Sequence, residues 1–444
     1  MTKIKKFGEV FTPMNLINND LLAGIDYSNP NNKFFEPSFG DGRILLRLKE
    51  ELLKFHAEEH IISNMLYGIE IQEELYSNFI KEFNPNGFKH NLLNMSALLI
   101  DGDDNPISKS FDTIDYILGN PPYNRNIAKK EEVSKELWDP SGYTTKLAYC
   151  IFVVLAHKLL KKDGILRYIM PCSFSHNENT EFFRQFLKNN FEIKKIKVLP
   201  PDVFDKIMIR TCLFEANKGS QKNDILIERH WNDKWYNCHT NYNQYNEIPL
   251  FIGDISKNIY EKVMQLNMSP TAYKGWNGAD SYAKFISKNP NKYPYQYVNN
   301  FNKKKVEIFS SLYPDKFKAK VNKKKNNIGN YNRFTLPKII INEVMFNSFE
   351  TDIHIKYLLI DRNGKFGLSP KNTMVTLNVN DIDDYAEDLS SKVAQLMLSI
   401  MKDYNHNDSK LFRYLPLGLS KIDLTEEEKQ FLENFSNFKS IVEL

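Results

Sequence analysis

Lys33-Phe-Phe-Glu-Pro-Ser-Phe-Gly-Asp-Gly42 reads as a short apolar strand that stops at an acidic residue and turns through two glycines. Residues 43–59 follow with Ile44, Leu45, Leu48, Leu52 and Leu53 at helical spacing, so the stretch is a strand, a turn and a helix. The alternation continues outward. Strands are predicted at residues 66–71, 88–93, 111–118, 164–170, 193–199 and 209–214, and helices at 72–83, 144–161 and 178–189. Repeated βα units predict an α/β fold, a mainly parallel, doubly wound sheet with helices on both faces. Ligands of such sheets lie beyond the carboxyl ends of the strands. Glu36, Glu70 and Asn120 each fall at a predicted strand end, so three strands deliver polar groups to one rim.

The chain of 444 residues exceeds what one hydrophobic core organises and predicts two or three domains. With 42% hydrophobic and 26% charged residues it has the composition of a folded protein, which excludes wholesale disorder. No stretch reaches the roughly 18 to 20 apolar residues of a membrane span. The N-terminus runs from a basic start into Phe7-Gly-Glu-Val-Phe-Thr-Pro13 without an apolar core, so a cytoplasmic protein with no membrane association is expected. Cys150, Cys172, Cys212 and Cys238 show no CxxC pairing, and they read as buried thiols with no metal site. Net charge is +4, which compels no particular partner. Two lysine clusters stand out, Lys303, Lys304 and Lys305, and the run 316–325 that ends in Lys323, Lys324 and Lys325. Each is read either as a solvated loop or as a phosphate-contacting surface.

Asn120-Pro-Pro-Tyr123 stops the fourth strand, since consecutive prolines cannot continue a central one. Two prolines stiffen the backbone, so the Asn120 side chain and the Pro121 carbonyl can face one spot as a pair of acceptors, with the flat ring of Tyr123 beside them. Two acceptors and a stacking face suit an exocyclic amine on a planar ring. Fixed acceptors on both N–H groups favour an electron-rich nitrogen. The competing reading is an ordinary Asn-Pro turn. Gly40 and Gly42 allow a tight turn and close ligand approach, though a Gly-x-Gly alone is weak. Glu70 stands where an acidic residue can bind ribose hydroxyls.

These motifs resemble the S-adenosylmethionine-dependent N6-adenine DNA methyltransferases of gamma motif order, as found in type II restriction-modification systems. The segment 7–13 is similar to the N-terminal cofactor motif, 36–42 to the Asp-Pro-Ala-Cys-Gly-Ser-Gly motif with Glu for Asp, and 120–123 is identical to the catalytic motif. Residues 162–171 resemble the glycine-strand-proline segment, and Val203-Phe204 followed by residues 209–213 the late motif with its base-packing aromatic. Five motifs stand in the family's order over about the first 220 residues. The resemblance implies a Rossmann-like catalytic domain at 1–225 and a DNA target recognition domain of mixed α+β structure at 226–444. It implies that Thr12 and the backbone near Pro13 hold the methionine carboxylate of S-adenosyl-L-methionine. Glu36, Gly40 and Gly42 would lie against its amino-acid part, and Glu70 would bind its ribose. Asn120 and the Pro121 carbonyl would accept the adenine N6 hydrogens, with the flipped base sandwiched by Tyr123 and Phe204. Direct transfer needs no metal and no covalent nucleophile.

One departure concerns the residue that meets the cofactor's adenine. Where the family usually carries Asp, this chain reads Asn91-Leu-Leu-Asn-Met-Ser-Ala-Leu98, which puts Ser96 at the matching position and Asn94 near it. Either hydrogen bonds more weakly than a carboxylate. Similar motifs occur in enzymes that methylate the N4 of cytosine, a guanine in ribosomal RNA or a glutamine side chain in release factors, and the N-terminal Phe11-Thr-Pro13 favours DNA over the RNA enzymes. Release-factor enzymes are short, whereas about 220 residues with both lysine clusters follow the catalytic motifs here, as expected for phosphate and base contacts on double-stranded DNA. Asn rather than Ser at position 120 leans to adenine over the N4 of cytosine. A partner-dependent or catalytically silent DNA-binding subunit is the alternative from another class. Pro201-Asp202 and Glu215-Ala-Asn-Lys218 have the wrong spacing for a nuclease, so any restriction endonuclease is expected as a separate protein, with this chain a monomer.

Overall fold

The computed structural model describes residues 11–443 except 103, 124–132, 139–146, 201, 205–208, 220–223, 267–269, 275–285, 293–294, 303–304, 312–335, 343–354, 356, 364, 369–371, 378, 402–411, 413 and 436–439. The chain divides into two compact units, Met1–Gly253 and Asp254–Leu444.

The first unit is built on a nine-stranded sheet of order β3-β2-β1-β4-β5-β7-β6-β8-β9. Its strands are β1 (Phe34–Glu36), β2 (Leu66–Glu70), β3 (Asn91–Asn94), β4 (Ile114–Gly119), β5 (Leu160–Pro171), β6 (Phe191–Val198), β7 (Thr211–Lys218), β8 (Asp224–Trp231) and β9 (Lys234–Asn241). Strands β3, β2, β1, β4 and β5 pair in parallel, and β7 enters antiparallel between β5 and β6. Side chains alternate across the sheet as a two-residue period requires. Phe34, Leu66, Leu118 and Ile169 join one buried cluster with helices α1 (Arg43–Leu52) and α2 (Glu73–Phe83). Phe35, Ile69, Ile117 and Tyr168 join the opposite cluster with α3 (Ala148–Leu159) and α4 (Glu181–Asn190). Both faces are therefore covered, and the doubly wound α/β architecture expected from the sequence is present. The four cysteines are buried thiols.

The sheet runs past residue 225, where the sequence put the end of the first domain. β8 pairs in parallel with β6, and β9 returns antiparallel along β8. Composition concealed this hairpin because polar residues interrupt it. Arg229 is 2% exposed within β8 and donates to the Leu250 carbonyl at 2.6 Å.

The second unit contains a five-stranded sheet, β10-β17-β14-β15-β18, and a four-stranded one, β11-β13-β12-β16. The first sheet comprises β10 (Thr271–Lys274), β14 (Lys338–Asn342), β15 (Tyr357–Asp361), β17 (Asn372–Thr376) and β18 (Ser440–Glu443). The second comprises β11 (Ile286–Ser287), β12 (Tyr295–Asn302), β13 (Lys305–Ser311) and β16 (Gly367–Leu368). With helices α5 (Gly253–Met264), α6 (Ile382–Ser390), α7 (Lys392–Met401) and α8 (Glu426–Leu432) the unit is mixed α+β. Ser391 separates α6 from α7. Its backbone is extended, and its hydroxyl donates to the Asp388 carbonyl and accepts from the Ala394 amide. Lys338 and Asp361 are paired directly across the β14–β15 ladder and form a buried ion pair at 2.7 Å. No helix among the described residues is long and apolar enough to cross a membrane.

Candidate active site

Because β1, β2 and β4 are parallel neighbours, their carboxyl ends open on the same edge. The turn after β1 is shaped by Gly40 (φ +58°) and Gly42 (φ +77°), both in the left-handed region. The Phe39 amide donates to the Ile69 carbonyl at 3.0 Å and ties the turn to β2. Glu70, 4% exposed, caps the arrangement, its carboxylate accepting from the Gly40 amide at 2.9 Å and the Gln72 amide at 2.8 Å. The Asn94 side chain at the end of β3 donates to the Glu70 carbonyl at 2.8 Å. Ser96, by contrast, accepts from the Leu98 amide at 3.3 Å within its own turn.

Glu36 is buried at the tip of β1, and its Oε2 has no hydrogen-bond partner. Burial first, then the nearby Asp41 and Glu70 carboxylates, push its carboxyl well above the ordinary range. Across Gly119 stands a second unpartnered polar atom, the Tyr168 hydroxyl. A Cβ on Gly119 would touch both side chains, at 3.6 Å from Tyr168 and 3.7 Å from Glu36. A buried polar atom without a partner calls for an explanation, and a bound group that completes its hydrogen bonding is one. An acidic edge with an unsatisfied carboxylate fits a cationic ligand, and the chemistry of the donor set suits the ammonium and sulfonium of S-adenosyl-L-methionine. Ile71, just beyond Glu70, is an exposed apolar residue, 58% accessible.

The segment carrying Thr12 is brought here by Arg43. Its guanidinium pairs with Asp41 at 2.6 Å, donates to the Thr12 carbonyl at 3.0 Å and lies 4.9 Å from the centre of the Phe11 ring. Thr12 is 4% exposed, and its hydroxyl oxygen accepts from Asn120 Nδ2 at 3.3 Å. Asn120 Oδ1 accepts from the Tyr123 hydroxyl at 2.6 Å, and that hydroxyl also lies 3.3 Å from the Ile169 carbonyl. Burial raises the Tyr123 phenol well above its ordinary value, so it stays a neutral donor.

Thr12, Glu36, Gly40, Glu70, Asn120 and Tyr123 are thus linked through strand ends and hydrogen bonds, with Pro13 and Pro121 adjoining in the chain. Phe204 is 6% exposed and packs in the cluster that holds Leu118, Ile169 and Leu213. Lys305 is exposed on β13, 3.7 Å from Glu307. Lys303, Lys304, Lys323, Lys324 and Lys325 lie outside the described residues. Sequence reasoning missed Arg43, Tyr168 and Ile71. Arg43 carried a signal as the cation right after an acidic turn, whereas Tyr168 looks like any aromatic in an apolar strand.

This strand order, with its antiparallel β7 and its acidic, glycine-turned carboxyl edge, is a doubly wound, Rossmann-like sheet. Residues 26–204 match the family described as Eco57I restriction-modification methylase. The chain is 27% identical over 232 residues to the type II methyltransferase M.HincII of Haemophilus influenzae, across 50% of this chain and 39% of that protein. It is 30% identical over 138 residues to the type II restriction enzyme and methyltransferase RM.Eco57I of Escherichia coli, across 30% and 14% of the respective lengths. Each match spans less than half of the relative's length. Among solved structures, the type IIL restriction-modification enzyme MmeI in complex with DNA shares the fold at a TM-score of 0.53 and 14% identity. That likeness covers 95% of this chain and 66% of that one.

Proposed function

We propose that the protein is a site-specific DNA methyltransferase that transfers a methyl group from S-adenosyl-L-methionine to the N6 of an adenine flipped out of the duplex. The observation that carries this reading is the linkage of Asn120 to the acidic edge through Thr12. Bound S-adenosyl-L-methionine supplies an electrophilic methyl group on a sulfonium. Glu70, whose carboxylate also accepts from the Gly40 and Gln72 amides, holds the ribose hydroxyls. Glu36 faces the cationic amino-acid end, Gly40 and Gly42 let the backbone approach it, and Thr12 and Pro13 hold its carboxylate. Ile71 covers one face of the adenine ring, with Ser96 or Asn94 at its amino group. Asn120 Oδ1 and the Pro121 carbonyl accept the two hydrogens of the target amine, fix its lone pair toward the donor and favour positive charge growing on the nitrogen. Tyr123 and Phe204 supply the stacking faces. Phe204 must then turn out of its cluster, a rearrangement driven by the entering base.

The experiment is incubation with methyl-labelled S-adenosyl-L-methionine and DNA from a methylation-deficient host, followed by nucleoside mass spectrometry. Label in N6-methyladenine is expected, and sequencing the modified sites then supplies the target. Label in N4-methylcytosine would keep the mechanism and change the base. Cofactor binding with no label would favour a subunit that needs a partner. Asn120→Ala is expected to lower transfer by about 10²–10³-fold while S-adenosyl-L-homocysteine still binds, as for loss of a preorganised hydrogen-bonding group.

A further inference from the structure

Thr12 occupies an unusual place between two functions. Its carbonyl is clamped by Arg43, whose other contacts are Asp41 and Phe11. Its side-chain oxygen accepts from Asn120, whose own oxygen accepts from Tyr123. A threonine hydroxyl that accepts one hydrogen bond still has its own hydrogen to give. Arg43 fixes the Thr12 backbone and Tyr123 fixes the far end of the Asn120 amide, so the hydroxyl between them has little freedom except in where its hydrogen points.

We propose that Thr12 is a positioning residue that links occupancy of the cofactor's carboxylate subsite to the orientation and polarity of the Asn120 amide. The inference rests on the function proposed above. When the Thr12 hydroxyl donates to a carboxylate, its oxygen becomes a better acceptor for Asn120 Nδ2. The amide is held more firmly, and electron density moves toward Oδ1, the atom aimed at the target amine. Hydrogen bonds in series polarise one another in this way. The coupling is reciprocal, so removal of the Asn120 amide weakens the carboxylate contact although Asn120 itself touches no part of the ligand.

A double-mutant cycle read by calorimetry with S-adenosyl-L-homocysteine, without DNA or turnover, tests this. In the wild-type and Thr12→Ser backgrounds, Asn120→Ala is expected to weaken binding about three- to tenfold; in the Thr12→Val background the same change is expected to cost less than about twofold. With 5′-methylthioadenosine, which lacks the amino-acid end, Asn120→Ala is expected to have no effect in any background. Equal factors in the Thr12 and Thr12→Val backgrounds, or no effect of Asn120→Ala on S-adenosyl-L-homocysteine in the wild type, would overturn the proposal. Thr12→Ser keeps the hydroxyl and guards against a variant that merely folds poorly. A wild-type protein that binds no S-adenosyl-L-homocysteine would count against the proposed function instead.

Discussion

Glu36 combines a shape suited to its ligand with a protonation state unsuited to emptiness. One oxygen has no partner, and burial with Asp41 and Glu70 nearby raises its carboxyl well above the ordinary 4.5. An acid with a raised folded value binds its proton more tightly in the folded chain than in the unfolded one. Its contribution to stability is complete below the ordinary value and is lost as pH rises toward the raised one. The melting temperature of the ligand-free protein should therefore fall as pH rises above the ordinary value of 4.5, and Glu36→Gln, neutral and nearly isosteric, should flatten that fall. Thermal melts of both proteins across this range check the assignment, and parallel curves would remove Glu36 as the titrating group. A bound cation reverses the preference by favouring the ionised carboxylate, so S-adenosyl-L-homocysteine should protect the wild type more at high pH than the variant.

The turn between β1 and α1 shows how an element can be legible down to single residues. Gly42 has φ +77°, and a Cβ there would lie 2.0 Å from the Phe79 ring of α2. Gly42→Ala meets both backbone strain and a clash, and should cost about 1–3 kcal/mol of stability, measurable by denaturant unfolding. S-adenosyl-L-homocysteine binding should fall with it, since the Gly40 amide is held against Glu70 by the same turn. Glu36, Gly40, Gly42, Glu70 and Asn120 could be read from the chain because strand ends and turn residues follow local rules of period and backbone freedom. The Thr12–Asn120 contact could not, because 108 positions separate its partners and no local rule brings them together. The β8–β9 hairpin was hidden for another reason. Arg229 reads as a surface residue until the Leu250 carbonyl that receives its hydrogen bond is known. In the same way Ser391 looks compatible with a continuous helix until its side chain is seen bonding to the backbone on both sides.

At the scale of the molecule, the proposed chemistry and the proposed target reading fall in separate units, which makes them separable by experiment. Replacing Lys303, Lys304, Lys305, Lys323, Lys324 and Lys325 by Gln should weaken binding to a duplex and reduce the slope of log affinity against log salt by about 0.9 for each phosphate that is no longer neutralised. Fluorescence anisotropy at several salt concentrations reads both, and an unchanged slope would make the clusters solvated loops. S-adenosyl-L-homocysteine binding should not change. Within the first unit, the segment that follows Thr12 is held by strands much later in the chain. Arg167 of β5 donates to the Leu21 and Ala23 carbonyls at 3.0 and 2.6 Å, and Lys197 of β6 pairs with Asp20, a separation of 177 positions. During synthesis, a chain extended only through Asn120 already carries Glu36, Arg43 and Glu70, yet it lacks Arg167 and Lys197, which hold residues 20–23. The seating of residues 20–23 is then completed only after β5 and β6 have been made and joined through β7.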